Sequence, residues 1–147
     1  MAILYEKYDV SFPKIKRRET SRWIKQVIDR LNKKPGNITY IFCSEDEILR
    51  INQSYLNHDY YTDIITFDYS EGNKISGDLF ISVETVKTNS EKFKTDYEEE
   101  LRKVMIHGIL HLCGYKDDTS ENKKKMKQKE DEAIKDYGVY NRQADIR

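Results

Sequence analysis

At 147 residues the chain is long enough for a single domain, residues 1–147, whose core needs no covalent staple. Its 26 basic and 26 acidic residues cancel, which argues against a generic polyanion binder but leaves room for local patches. No apolar stretch is long enough to cross a bilayer and two cysteines build no disulfide framework, so the expected setting is the reducing cytoplasm, with no membrane partner.

The opening MAILYEKYDV alternates apolar and polar residues and reads as a strand over 3–10 rather than a secretory signal. A helix follows from about Thr20 to Lys33, with Trp23, Val27, Ile28 and Leu31 on one face, and Lys34-Pro35-Gly36 ends it. ITYIF (38–42) is a short strand rich in β-branched and aromatic residues. Ser44 with Glu47 forms a capping box that opens a helix to about Leu56. IITF (64–67) and DLFIS (78–82) read as strands joined by a turn around Glu71-Gly72-Asn73, and a short helix covers about 83–90. Thr95 with Glu98 is a second capping box, opening a helix over about 96–113. Asp118 with Glu121 resembles a third and starts a Lys-rich helix to about Tyr137, stopped by Gly138. This order predicts an α+β domain in which a small mixed β-sheet of about four strands packs with about five helices.

The string HGILHLCGYKDD, residues 107–118, carries the chemistry. His107 and His111 are four apart and project from one face of the helix. Val104, Met105, Ile106, Ile109, Leu110 and Leu112 surround them, so the helix is buried on more than one side and the imidazoles form its polar stripe. A buried imidazole pair needs a partner, and a divalent metal serves both. Gly114 can take the left-handed conformation that ends a helix and turns the chain back, delivering Asp117 to the histidine face. The predicted metal site, at the C-terminal end of a buried helix, is therefore His107, His111 and Asp117, a set that suits one zinc ion per chain with an open position. Cys113 stands about 240° around the helix from His107 and reads as a core residue rather than a fourth ligand. Asp118 competes with Asp117, but its relation to Glu121 makes it the better cap.

The spacing H-x-x-x-H-x-x-G-x-x-D matches the ligand spacing of the metzincin peptidases. Gly108, however, stands where those enzymes carry their general-base Glu, which weakens a metallopeptidase reading.

In this motif the sequence resembles the YbeY family of bacterial rRNA maturation factors, whose pattern H-G-x-L-H-L-x-G-Y-D-H is matched in register by His107, Gly108, Leu110, His111, Leu112, Gly114 and Tyr115. YLNHDYYTDIITF (55–67) and GDLFIS (77–82) are similar to two further family segments, in the family's order. There are departures: Lys116-Asp117 replaces the family's Asp-His, and Leu56 stands where the family has an Arg at the phosphate backbone, with His58 a candidate replacement or an exposed loop residue. The resemblance implies a cleft with the metal at its floor. Asp63 and Asp78 are candidates to line it or to hydrogen-bond the ligand histidines; the competing reading makes them turn and cap residues. It also implies a single-strand-directed, metal-dependent endoribonuclease of small-subunit rRNA 3′-end maturation and ribosome quality control, with RNA, ribosomal proteins and the ribosome as partners. The alternative within this reading is a non-catalytic ribosome-assembly factor with a structural metal.

Two features bear on RNA. Residues 13–34 carry nine Lys or Arg, and residues 121–129 add five Lys; both would attract phosphates if they flank the cleft. Tyr55, Tyr60, Tyr61 and Tyr69 cluster near a motif segment, where unstacked bases could rest. The competing reading makes the charges solvated helix faces and the tyrosines half-buried sheet residues.

Overall fold

Alternating burial and helical stripes resolve into β1 (Ile3–Lys7), α1 (Arg17–Arg30), β2 (Lys34–Cys43), α2 (Glu45–Tyr55), β3 (Ile64–Asp68), β4 (Lys74–Ser82), α3 (Val83–Lys92), α4 (Tyr97–Leu112) and α5 (Ser120–Asp145). The computed structural model describes residues 3–55 and 62–145, with side chains as far as residue 138. Leu56, His58, Tyr60 and Tyr61 lie outside the described residues. The strands form one mixed sheet in the order β1-β2-β4-β3, parallel except for β3, which runs antiparallel to β4. The expected α+β architecture is therefore the observed one.

The two faces of the sheet are covered unequally. Ile38, Tyr40 and Phe42 of β2 and Ile75, Leu79 and Ile81 of β4 join the main core with Trp23, Ile24, Val27 and Ile28 of α1 and the apolar residues of α4. Its two largest polar aromatics are satisfied: the Tyr40 hydroxyl donates to the Met105 carbonyl at 2.9 Å, and Trp23 Nε1 donates to the Ala133 carbonyl at 2.7 Å. On the other face α2 sets Ile48 and Ile51 against Ile65, Phe67 and Phe80.

Several boundaries differ from the expected ones for local reasons. Helix α1 starts at Arg17, and Lys34-Pro35-Gly36 opens β2 instead of forming a stop. Pro35, which has no N–H to donate, sits where the register against β4 shifts, before Ile38. The first capping box is half formed. Ser44 Oγ accepts from Glu47 N at 3.1 Å, but the Ser44 N–H goes to Asp9 and the Glu47 carboxylate to Arg50. The second does not form: Asp96 is the N-cap of α4, without a side-chain bond, and Thr95 donates to Glu100. The third is displaced by one residue, because Thr119 Oγ1, not Asp118, accepts from the Asn122 N–H at 3.0 Å. Gly138 does not stop α5, which continues through it.

Candidate metal centre

Helix α4 presses against the sheet through Gly108. A Cβ at this position would lie 2.8 Å from Ile64 Cδ1 and closer still to Leu79, so a side chain fits only if these two neighbours shift. That contact turns His107 and His111 toward the edge of the sheet beyond β3. The C-terminus of α4 then closes as a Schellman motif: Gly114 N–H donates to the His111 carbonyl and Tyr115 N–H to the Leu110 carbonyl, both at 3.0 Å. Gly114 has φ +99°, the left-handed region where a side chain is strained. The reversal returns the chain under the histidines and brings Asp117 to them.

The three expected ligands converge. His107 Nε2 lies 3.0 Å from His111 Nε2, and Asp117 Oδ2 lies 3.3 Å from the first and 3.6 Å from the second. One donor atom from each residue falls within 4.8 Å of the others. Asp118 is not among them; its carboxylate accepts from the Asn122 side chain, which holds its pKa below the usual range. Cys113 caps α4 in the main core, and burial raises its thiol to about 11.

The residue that the sequence reading missed is Glu130. Its carboxylate, 9% exposed, lies 2.6 Å from His107 Nδ1. A carboxylate accepts only, so Nδ1 carries the proton and Nε2 turns a lone pair toward His111 and Asp117. Burial lowers the basicity of His107, but the Glu130 bond, with Asp117 and Asp63 nearby, more than offsets it and raises the pKa. His111 is lowered, by burial and then by the charge of His107, with Asp117 opposing. A signal for Glu130 was present: Met126, Ala133 and Tyr137 form the buried stripe of α5, and Glu130 is a carboxylate in that stripe.

The three candidate ligands lie in a cleft of about 630 Å³ whose walls include Asn52, Thr62, Asp63, Asp68 and Lys116. Asp63 stands beside His107, and burial, against the opposing pull of His107, raises its carboxyl pKa. Asp78 is not brought to the site. It shares a sheet face with Phe80, turned away from α4, and accepts a hydrogen bond from Tyr69. The basic segments do not line the cleft either. Lys14 and Lys16 lie near Glu98 and Arg102, toward the other end of α4, while Lys125, Lys127 and Lys129 pair with acids along α5. Lys116 is the one lysine or arginine on the cleft wall among the described residues.

The residues fit a divalent ion. Two imidazole lone pairs and one carboxylate oxygen point at a common volume, and a buried acid fixes one imidazole in the ligating tautomer. Asp117 is 46% exposed, so the volume opens to the cleft. The general-base Glu of a peptidase is absent, because position 108 is a glycine packed against Leu79 and Ile64.

Comparison with known proteins agrees with this geometry. The family profile described as Endoribonuclease YbeY matches residues 6–138. A protein of Parabacteroides distasonis named Endoribonuclease YbeY is 57% identical over 134 residues, covering 91% of this chain and 94% of its own. One of Bacteroides fragilis with the same name is 58% identical, covering 91% and 96%. The solution structure of TM1509 from Thermotoga maritima superimposes with a TM-score of 0.67 at 25% identity, covering 97% of this chain and 93% of that one.

Proposed function

Because the chain belongs to the endoribonuclease YbeY family, we propose that it is a metal-dependent hydrolase that cuts phosphodiester bonds in single-stranded RNA. Ribosomal RNA is the substrate in this reading, with the small-subunit 3′ end as the segment matured and the ribosome and its proteins as partners in the cytoplasm. Among the described residues no helix is long and apolar enough to cross a membrane. The observation that carries the reading is the convergence of His107, His111 and Asp117 in an open cleft of about 630 Å³.

His107, His111 and Asp117 would hold the ion, and two nitrogens with one oxygen suit zinc. When bound, the ion supplies Lewis acidity at a phosphoryl oxygen. The chain does the rest. Glu130 holds the Nδ1 proton of His107 and so keeps Nε2 as a donor atom. Asp117 adds a negative charge, which lowers the charge of the loaded site relative to three neutral ligands. Lys116, next to Asp117, offers the phosphate a cation on the same wall. The peptidase reading lacks its base, and an assembly factor would not need an open ligand set.

The test is cleavage of a labelled single-stranded RNA by purified protein of measured metal content. His111→Ala should abolish both cleavage and metal content. Metal-loaded protein that cuts neither free nor ribosome-bound RNA would sink the reading, and cleavage surviving in His111→Ala would expose a contaminating nuclease.

A further inference from the structure

A second cleft, of about 370 Å³, borders His107 and Asp117. It shares Asp63, His107 and Asp117 with the first and adds Asn89, Phe93, Glu100, Lys103 and Glu130. The two clefts therefore meet over the ligands, and a molecule lying across them reaches both. A strand does so; a compact substrate would fill one.

Phe93 is the feature of this cleft that neither folding nor metal binding uses. It is 57% exposed and belongs to neither apolar cluster. Its backbone is nevertheless fixed: Phe93 is the C-cap of α3, its N–H donates to the Asn89 carbonyl at 2.9 Å, and Lys94 N–H bonds to the Glu91 carbonyl. An exposed aromatic ring on an anchored backbone offers a flat surface at little entropic cost. The deeper groups are carboxylates, which accept hydrogen bonds and repel phosphates. What they can receive is the N–H edge of a base. Phosphates would instead meet Lys103, on the same wall, and Lys92, whose Nζ lies 5.6 Å from the Phe93 ring centroid.

We propose that this second cleft is a nucleobase subsite, in which Phe93 stacks a base of the single strand next to the one held at the ligand cluster. The inference rests on single-stranded RNA being what the proposed site takes up. It makes Phe93 a binding residue and Lys103 a phosphate contact.

The chain has one tryptophan, Trp23, fully buried, so Phe93→Trp adds a single exposed fluorophore above a constant background. Titration of metal-loaded Phe93→Trp with a single-stranded oligoribonucleotide of about eight nucleotides should quench the added emission. A strand with abasic residues should quench little. Phe93→Ala should bind such a strand roughly tenfold more weakly by anisotropy and raise KM more than it lowers kcat. Lys103→Ala should reduce the salt slope of binding by about one. Equal quenching by abasic strands, or a Phe93→Ala protein that binds and cleaves as the parent does, overturns the subsite. If quenching occurs but the protein cleaves no RNA, the nuclease reading fails and the subsite stands. If RNA is cut while Phe93→Trp is not quenched, the subsite alone fails.

Discussion

The Glu130 carboxylate meets His107 Nδ1 at 2.6 Å across 23 positions of sequence, joining the middle of α5 to the first of the proposed ligands. Glu130→Gln keeps an acceptor but removes the charge, whereas Glu130→Ala removes both and leaves a buried N–H unpaired. Metal affinity should fall by about 10- to 100-fold, more for Ala than for Gln. Competition with a chromogenic chelator measures it. Unchanged affinity in Glu130→Ala would mean that the contact only packs α5.

The neighbouring aspartates should separate cleanly. Asp117→Ala should weaken metal binding far more than Asp118→Ala, and Asp117→His should retain the ion because it restores an imidazole donor. Thr119→Ala, which removes the cap of α5, should cost about 1 kcal/mol of stability with little change in metal affinity. The reverse ranking in a chelator titration would identify Asp118 as the ligand.

Metal affinity should fall with acid in two stages. An imidazole ligates only when its donor nitrogen is unprotonated, so each protonation competes with the ion. His107 is raised above its ordinary value and His111 lowered. As pH falls, His107 takes its proton first, while His111 remains available longer. The affinity should therefore drop by about tenfold per pH unit starting above the ordinary histidine value, and more steeply at lower pH. A single steep step in zinc titrations between pH 5 and 8 would contradict the split (range on the order of that in which histidine titrates).

Both cysteines should be inert in the native protein. Burial, with Asp9, Glu47 and Glu84 nearby, raises Cys43 to about 12, and burial raises Cys113 to about 11. At pH 8 roughly one thiol in a thousand or fewer is ionised. Iodoacetamide should label neither until denaturant is added, as intact mass would show; rapid labelling of Cys113 would mean that the end of α4 opens.

Gly108→Ala should crowd the contact between α4 and the sheet. The added methyl meets Ile64 and Leu79 in a packed interface, where overpacking costs about 1–3 kcal/mol. Calorimetry should show the loss, and metal affinity should fall with it because the same contact aims both histidines. A Glu at this position should be worse and should confer no peptidase activity on casein.

Much of this was legible in the sequence, for identifiable reasons. The 107–117 string is local: helical spacing, a left-handed glycine and a turn bring its three ligands together with little help from the rest of the fold, so their convergence could be read from spacing. Asp63 and Asp78 depended instead on which side of a strand faces α4. Parity sends Leu79 to the helix and Asp78 away from it, a distinction available only once the sheet face is known. Glu130 was hidden by composition, because one buried acid looks ordinary in a helix crowded with Lys and Glu until its register with Met126 and Ala133 is noticed. The capping boxes failed where a tertiary partner, such as Asp9 at Ser44, took the group that the local motif required.

Helix α5 is held by Met126, Ala133 and Tyr137, and Tyr137 packs its ring against Trp23 and under the Arg102 guanidinium. With an ion held as proposed, docking of this helix and loading of the metal would be thermodynamically linked through Glu130. By reciprocity, whatever factor the ion contributes to holding the helix down, a docked helix contributes to holding the ion. Amide hydrogens around Tyr137 should exchange more slowly in the loaded protein, and a Tyr137→Ala variant, which touches no ligand, should release its ion more readily than the parent.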